Sequence, residues 1–245
     1  MNNKYVRKLL KSLTYIFRLS PFHPQWLIYR NNHKNLIEIA EYIHGQVLDV
    51  GCGNSEIKKF ISENCNYIGL DYYYTSVEWY KSEPDLYGDA QSLPLKSESI
   101  ETVVLLDVLE HLPGTEECLS EIHRVLTEKG LLILQVPYVY PVHDAPLDFY
   151  RWTRFGLNRL LEKYRFKVVD EKYRGNPFET SFLLVNIAMS KTILNWAQRR
   201  NPALICIVLL PPAIIINNLM AWLLTILTPA DPIMPHSYRI IAEKY

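Results

Sequence analysis

From residue 45 onwards, short apolar runs alternate with segments whose apolar residues recur at helical spacing. Six of these runs have the length and composition of buried strands, and turn residues separate them from their neighbours. They cover residues 45–50, 67–71, 86–89, 102–106, 131–136 and 166–170. Strands that alternate with helices in this way predict an α/β fold, with a largely parallel sheet and helices on both faces.

Three segments between the strands have helical character. Residues 56–64 follow the first strand, and Thr115 can cap a helix that carries an apolar stripe from Leu119 to Leu126. Gly130 is predicted to end this helix in the left-handed conformation. A third helix, over residues 155–164, precedes the sixth strand.

The first strand ends in the loop Gly51-Cys-Gly-Asn-Ser55, which the first predicted helix follows directly. A strand, a glycine turn and a helix open a nucleotide-binding βαβ unit. Dinucleotide-binding loops follow the pattern G-x-G-x-x-G, but the third position after Gly53 is Glu56 here. The observed pattern, D-x-G-x-G-x-S, therefore argues against a nicotinamide dinucleotide.

Three carboxylates lie at or near the predicted strand ends around this loop: Asp49, Asp71 and Asp89. They would repel a pyrophosphate, whereas a ligand with an ammonium group, a ribose and an amino-adenine can use each of them. S-adenosylmethionine is such a ligand, and we expect it to be the cofactor.

Composition narrows the range of partners. The chain of 245 residues has 26 Lys and Arg against 26 Asp and Glu, so no excess of positive charge favours a nucleic-acid substrate. The 4 cysteines are scattered without C-x-x-C spacing. This predicts neither a disulfide framework nor a zinc knuckle, and it suits a reducing cytoplasm.

Four ordered motifs resemble the class I S-adenosylmethionine-dependent methyltransferases, closest to the branch that includes quinone-biosynthesis enzymes. These motifs are Val47–Ser55 (VLDVGCGNS), Ile68–Asp71 (IGLD), Gly88–Pro94 (GDAQSLP) and Leu106–Leu112 (LDVLEHL). The resemblance covers residues 45–170 and departs from the family where Ser55 replaces a frequent third glycine. It implies a Rossmann-like methyltransferase sheet of seven strands, in which residues 238–244 form the last, antiparallel strand.

The resemblance also implies which residues bind the cofactor. Asp49 would reach the ammonium group of the methionine moiety, Asp71 would hold both ribose hydroxyls, and Asp89 would accept from the adenine amino group. The full implied set is Asp49, Gly51, Gly53, Asp71, Tyr72, Asp89, Ala90 and Asp107.

The methyl donor is an activated sulfonium, so orienting the acceptor supplies much of the catalysis. A hydroxyl or phenol acceptor would also need a base within reach, and His111 and His143 are the candidates. His143 lies in a polar and aromatic segment, residues 141–153, which is expected to form the acceptor pocket. The same segment could instead be a structural loop in which Arg151 pairs with a neighbouring aspartate.

A metal site is the alternative for the same region. Asp107, Glu110, His111 and His143 would make a four-ligand set similar to divalent-metal sites in some branches of the family. However, the Glu-His pair after strand four also occurs in metal-free members, where it is structural. We therefore expect no metal.

Two segments outside the sheet suggest attachment to a membrane surface. Residues 3–19 predict an amphipathic helix with a basic face, and bulky residues stand where a signal peptide would need a small-residue cleavage site. Residues 175–236 form an insertion that is most apolar at 203–227. Pro211 and Pro212 divide that stretch, so we expect the insertion to dip into one leaflet without crossing.

The predicted organisation is a basic helical segment at 1–40, a methyltransferase domain at 41–174 and 237–245, and the insertion at 175–236. The predicted function is methyl transfer to a hydrophobic or lipid-linked small molecule by a cytoplasmic protein that is peripheral or monotopic at the inner face of the membrane. The alternatives are a methyltransferase of a soluble small molecule or sugar, and a non-catalytic cofactor-binding subunit. The apolar insertion could also cover the core of a soluble protein or a dimer interface, and the oligomeric state stays open.

Overall fold

The computed structural model describes residues 16–229 and 231–245. The chain divides into two compact units. The sheet unit comprises Asn35–Arg174 and His236–Tyr245, and the helical unit comprises the described residues up to Lys34 together with Gly175–Pro235. Most of the predicted helix at residues 3–19 lies outside the described residues, and residues 16–18 within it are helical.

The sheet unit is built on one seven-stranded sheet with the strand order β3-β2-β1-β4-β5-β7-β6. Strands β1 to β5 are parallel, and β7 runs antiparallel between β5 and β6. The strands are β1 Gln46–Val50, β2 Asn66–Asp71, β3 Leu86–Tyr87, β4 Ile100–Leu106, β5 Leu126–Pro137, β6 Phe166–Arg174 and β7 Ser237–Lys244. The predicted seven-stranded, Rossmann-like sheet is confirmed.

Besides the helical residues 16–18, six α-helices and four short helical turns accompany the strands in the described chain. The helices are α1 Trp26–Tyr29, α2 Asn32–Ala40, α3 Thr115–Val125, α4 Arg154–Lys163, α5 Pro177–Gln198 and α6 Leu210–Leu227. The turns are 3-10 at Ile57–Lys59, Leu109–His111 and Pro202–Leu209, and π-helical at Thr75–Tyr80.

The predicted helix at residues 56–64 is wrong, because only the 3-10 turn Ile57–Lys59 forms there. Nine residues are too few for a stable isolated helix, and Ser62 and Asn64 offer the backbone competing hydrogen bonds. The hydroxyl of Ser62 accepts from the amide of Asn64 at 3.2 Å. The chain therefore leaves helical geometry before β2 begins.

The predicted ends of α3 are also corrected. Gly114 is the N-cap and Thr115 is the first helical residue, so Thr115 does not cap the helix. The helix ends at Val125, because Leu126 is fully buried and pairs with Ile100 as the start of β5. The residue with a left-handed φ is Lys129, at +62° within β5, and not Gly130.

Both faces of the sheet are covered by helices. Helices α3 and α4 pack on one face, where Leu119 and Leu161 join a core with Leu48 of β1. Helix α2 packs on the other, where Ile39 contacts the cluster around Val47. Burying both faces explains the continuous apolar runs of the central strands.

The strand order reverses at β1, which pairs with β2 on one side and β4 on the other. In open parallel sheets, the loops that follow the strands on either side of such a switch point diverge and leave a crevice. The glycine loop after β1 and the segments after β2 and β4 therefore surround one site.

In the helical unit, α5 is followed by the 3-10 turn Pro202–Leu209 and by α6. Pro211 and Pro212 lie in the first turn of α6, where their missing amide hydrogens are not needed. The helix type thus changes from 3-10 to α at Leu210, next to the break that was predicted at Pro211 and Pro212. The stretch Pro202–Leu227 has a mean hydropathy of 2.2 and is, by length and composition, the one helical stretch in the described chain that could cross a membrane.

Candidate functional site

A cavity of about 340 Å³ opens at the carboxyl ends of the strands beside the switch point. This volume is in the range of small-molecule binding sites. The predicted site residues that line it are Gly51, Gly53, Asp71, Tyr72, Asp89, Ala90, Asp107 and His111. Asp49 and His143 are not among the residues that line the cavity.

The two glycines of the loop have different structural roles. Both have positive φ angles, +70° at Gly51 and +50° at Gly53. A Cβ atom on Gly51 would lie 2.3 Å from Cγ2 of Val108, whereas one on Gly53 would meet no atom within 4 Å. Gly51 therefore permits the close packing of the loop on the segment after β4, and Gly53 leaves room on the cavity side.

Asp71, at the end of β2, is fixed by the backbone around it. Its Oδ2 accepts from the amide of Gly53 at 2.9 Å, and its Oδ1 accepts from the amide of Tyr72 at 2.8 Å. Each carboxylate oxygen has a further lone pair, so both can still accept from a pair of hydroxyls in the cavity. The ring of Tyr72 is 54% exposed beside it.

Asp89 and Ala90 follow β3 and form a tight turn on the cavity wall. The carboxylate of Asp89 accepts from the backbone amide of Gln91 at 2.8 Å and from its side-chain amide at 3.1 Å. This turn holds Ala90 against the cavity, where its backbone can meet a flat ring.

Asp49 lies on β1 beneath the glycine loop, and only 4% of it is exposed. Its Oδ2 accepts from the hydroxyl of Tyr67 at 2.6 Å. Burial raises the pKa of Asp49 to about 7, the negative charge of Asp71 adds to the rise, and the hydrogen bond from Tyr67 opposes it. Asp49 can therefore exchange a proton near neutrality.

Asp107, at the end of β4, has a φ of +55°. Its Oδ2 accepts from Nε2 of Gln135 at 2.7 Å, and Oε1 of Gln135 accepts in turn from Asn35 and Arg174. Burial raises the pKa of Asp107, and the positive charge of Arg174 opposes the rise. This network fixes the carboxyl group where the resemblance expects the methionine moiety.

The two candidate bases lie together at one end of the site. The rings of His111 and His143 meet edge to face with centroids 4.8 Å apart. His111 is hydrogen-bonded through Nδ1 to the carbonyl of Leu147, and Nδ1 of His143 lies 3.2 Å from Oδ2 of Asp148. These contacts hold each imidazole at Nδ1, while Nε2 of each ring faces Glu110.

Arg151 and Asp148 form the structural pair that the sequence left open. Two parallel contacts join the guanidinium to the carboxylate, at 2.6 and 2.8 Å. Burial alone would raise the pKa of Asp148, but the hydrogen bonds from Arg151 hold it at about 2. A permanently ionised Asp148 therefore faces His143.

Glu110 lies in the 3-10 turn after β4, and its side chain is fully buried. Neither of its carboxylate oxygens has a hydrogen-bond partner among the described residues. Burial raises the pKa of Glu110 to about 9, and the charge of Asp107 adds to the rise. A buried carboxylate without partners is rare enough to require an explanation.

Sequence reasoning missed the aromatic side of the cavity. Trp79 and Tyr80, from the π-helical turn, line it together with Asp144, and the hydroxyl of Tyr80 donates to that aspartate. The run YYYTSVEWY at residues 72–80 was the available signal, since aromatic side chains concentrated after a sheet strand suit a flat ligand.

Comparisons with known proteins identify the domain around this site. Residues 48–134 match the family described as "Methyltransferase domain". Over 135 residues, the chain is 31% identical to a probable S-adenosylmethionine-dependent methyltransferase of Mycolicibacterium smegmatis, covering 51% of this chain and 52% of the relative. It is also 29% identical over 128 residues to an uncharacterized protein of Methanocaldococcus jannaschii, covering 47% and 48%.

Among solved structures, a SAM-dependent methyltransferase from Archaeoglobus fulgidus has a TM-score of 0.55 and 17% identity, with 94% of this chain and 99% of that one covered. This similarity confirms the fold. The matched region is thus a methyltransferase domain of the class that uses S-adenosylmethionine. The chain spans about half the length of the curated relatives that it matches.

Proposed function

We propose that this protein transfers a methyl group from S-adenosylmethionine to a hydrophobic or lipid-linked small molecule at a membrane surface. The matched domain and the cavity support the donor half of this proposal. The acceptor half rests on one observation in the helical unit: a group of asparagine side chains is buried between its helices, while many large apolar side chains of Pro202–Leu227 are exposed.

The polar group consists of three asparagines. Asn186 of α5 donates to Asn218 of α6 at 2.9 Å, and Asn217 donates to Asn186 at 3.0 Å. Asn218 also donates to the carbonyls of Pro21 and His23. Asn186 and Asn218 are fully buried, so these amides join the helices and the preceding segment without contact with solvent.

Many exposed side chains of α6 are large and apolar. Only 11% of the most apolar window of Pro202–Leu227 is buried. The exposed fraction is 61% at Ile216, 45% at Trp222 and 61% at Ile226. Water-soluble helices have the reverse distribution, with an apolar stripe towards the core. An apolar exterior around a hydrogen-bonded polar interior suits a lipid environment.

The connectivity argues for a helical hairpin that enters and leaves on one side. Strand β6 precedes the hairpin and β7 follows it, and both pair in the same sheet. A single crossing by Pro202–Leu227 would leave β7 on the wrong side of the bilayer. Helix α6 alone, with 18 residues, reaches about 27 Å, slightly less than the hydrocarbon thickness of about 30 Å.

Methyl transfer and the class of acceptor are tested with the purified protein and S-adenosylmethionine that carries a labelled methyl group. Incubation with a lipid extract and, separately, with a soluble metabolite extract should transfer label to the lipid extract. Label in the soluble extract alone would favour the soluble-acceptor alternative. Cofactor binding without transfer to either extract would favour the non-catalytic alternative.

The membrane half is tested by flotation with vesicles of mixed neutral and anionic phospholipid. The wild-type protein should float with the vesicles, and the double variant Ile216→Gln with Ile226→Gln should lose most of this binding. The matched control, Thr192→Gln with Asn195→Gln, changes two exposed positions on α5 and should float like wild type. A wild-type protein that stays in the aqueous fraction would overturn the proposed attachment.

A further inference from the structure

The side chains of Glu110, His111 and His143 place their ligand atoms within 4.8 Å of one another, and His111 lines the cavity. Nε2 of His111 lies 3.7 Å from Oε1 of Glu110, and Nε2 of His143 lies 3.9 Å from the same oxygen. Hydrogen bonds between such groups are about 2.7–3.2 Å long. The three groups therefore face one another without bonding directly.

These separations are close to those around a shared metal ion. Two ligand atoms that each lie about 2.0–2.1 Å from a tetrahedral ion are about 3.3 Å apart. Small rotations of the two imidazoles would bring Nε2 of each to that separation from Glu110. An ion at this point would also give the buried carboxylate of Glu110 the partner that it lacks among the described residues.

The surroundings of the two imidazoles direct Nε2 towards that point. Nδ1 of His111 is hydrogen-bonded to the carbonyl of Leu147, an acceptor only, so Nδ1 carries the proton and the lone pair is on Nε2. Nδ1 of His143 lies 3.2 Å from the carboxylate of Asp148 and 3.3 Å from the guanidinium of Arg151. Nη2 of Arg151 donates to this nitrogen in the metal-free site; with an ion on Nε2 the ring proton would lie on Nδ1 instead, where Oδ2 of Asp148 can accept it.

A carboxylate or carbonyl that fixes the tautomer of a histidine is the usual outer shell of a metal ligand. We propose that Glu110, His111 and His143 bind one divalent first-row transition-metal ion beside the cavity. Two imidazoles and one carboxylate suit ions such as Zn²⁺, Mn²⁺ and Fe²⁺ better than Mg²⁺ or Ca²⁺, which prefer oxygen ligands. This assigns a metal to a cluster for which sequence alone led us to expect none.

The role of the ion rests on the proposed function. His111 lines the cavity, so an open coordination position on the ion can bind the oxygen of a hydroxyl acceptor. The acceptor then loses its proton to solvent more easily, because the ion stabilises the alkoxide or phenolate. The oxygen forms a bond to the methyl carbon, the carbon–sulfur bond breaks, and its electron pair remains on the sulfur of S-adenosylhomocysteine.

Metal binding is tested by titrating the metal-free full chain with Co²⁺, which reports its ligands in visible absorption, and by measuring bound metal after dialysis. Wild type should bind one ion per chain. The isosteric variant Glu110→Gln and the variant His143→Ala should each bind at least about 100-fold more weakly. The matched control His44→Ala removes an exposed histidine of the same unit and should bind like wild type.

Asp148 is a positioning residue in this proposal. The variant Asp148→Asn should weaken Co²⁺ binding by about 10–100-fold, as loss of an outer-shell partner does. Circular dichroism and thermal unfolding identify any variant that fails to fold, and Glu110→Gln, which adds no volume or charge, then decides the result. Equal Co²⁺ binding by wild type and folded Glu110→Gln would overturn the metal site.

Labelled-methyl transfer separates this proposal from the proposed function. Loss of transfer after chelation, with recovery on adding Mn²⁺ or Zn²⁺, is the expected result. Full transfer by chelated protein would overturn the catalytic role of the ion while leaving methyl transfer intact. A protein that binds one Co²⁺ but transfers no methyl group would contradict the proposed function and leave the metal site standing.

Discussion

The resemblance implies that Asp49 reaches the ammonium group of the cofactor, so we expect its carboxyl group to link proton binding to cofactor binding. Its pKa is raised to about 7, first by burial and then by the charge of Asp71. A cationic methionine moiety near Asp49 favours the ionised form. The affinity for S-adenosylmethionine should therefore rise as the pH increases from about 5 to 7, by up to about tenfold per unit, and level off above.

Calorimetric titrations at several pH values check this, with Asp49→Asn as the test variant and Glu63→Gln, at an exposed position, as the control. Asp49→Asn should bind weakly at every pH. The free protein should respond with the opposite sign: since burial favours the neutral acid, the stability that Asp49 contributes is lost as the pH rises through about 7. A pH-independent affinity for wild type would contradict the link.

Asp71 should contribute more to cofactor affinity than any other single cavity carboxylate, because it can accept from two ribose hydroxyls at once. We expect Asp71→Ala to weaken S-adenosylmethionine binding by about 2–4 kcal/mol, since charge-assisted hydrogen bonds are lost. Calorimetry on the folded variant measures this, with Glu63→Ala as the control. An unchanged affinity would remove the assignment to the ribose.

Also at the residue scale, the sequence predicted which carboxylates line the cavity better for residues at or after a strand end than for a residue inside a strand. Asp71, Asp89 and Asp107 line the cavity because the carboxyl ends of parallel strands lie along one edge of the sheet, where the switch point leaves a crevice. Asp49 is one residue before the end of β1, and its side chain turns to Tyr67 instead. The isolation of Glu110 could not be predicted, because hydrogen-bond partners depend on folding and not on spacing.

The glycine loop allows a matched comparison at the scale of one element. Gly51→Ala should destabilise the protein by at least about 2 kcal/mol more than Gly53→Ala, because only the first places a Cβ atom against Val108. Both variants share the strain of a positive φ, so that contribution largely cancels. Urea unfolding measures the difference.

The double variant Gly51→Ala with Val108→Ala tests the cause. Removing the two methyl groups of Val108 should restore part of the stability, giving a coupling of about 1 kcal/mol or more in a double-mutant cycle. Additive effects would mean that the packing against Val108 is not the reason for a glycine at this position.

Strands that are buried on both faces were predictable from their apolar sequences. A short helix, and the residue at which a helix gives way to a strand, were not. Six strands were expected from their apolar runs, and the resemblance to the methyltransferase family implied the seventh. The helix at residues 56–64 failed because local propensity over nine residues is a weak signal. Helix α3 ended earlier than expected because Leu126 gains more from pairing with Ile100 than from extending the helix.

At the scale of the whole molecule, the sheet topology could be inferred from the order of the motifs along the chain. Which side chains of the helical unit are buried and which are exposed could not. Periodicity alone does not tell which face of an apolar helix is inside. The asparagines Asn186 and Asn218 lie in largely apolar helices, and they form the buried centre of this unit. The hydrogen bond between them could not be predicted from the sequence, because the two residues are 32 positions apart and meet only in the folded chain.

His236 begins the segment that returns to the sheet and should limit the stability of the whole chain in acid. Its amide donates to the carbonyl of Arg174 at 2.9 Å, and its carbonyl accepts from Tyr138 at 2.8 Å. Burial, together with the positive charge of Arg174, lowers the pKa of its imidazole to about 3. The native state therefore requires a neutral ring.

The unfolded chain binds this proton near pH 6.5, and the folded chain does so only near pH 3. The stability contributed by the neutral ring is thus present above about pH 6.5 and lost as the pH falls from there towards 3, by about 1.4 kcal/mol per unit. Urea unfolding at pH 7.5, 6 and 5 should give a steeper loss for wild type than for His236→Gln, whose side chain does not titrate. The variant is less stable at pH 7.5 if its amide packs poorly, but the difference between the proteins should narrow on acidification. Parallel losses would mean that the ring of His236 is hydrated or paired in the native state, and that another group sets the acid limit.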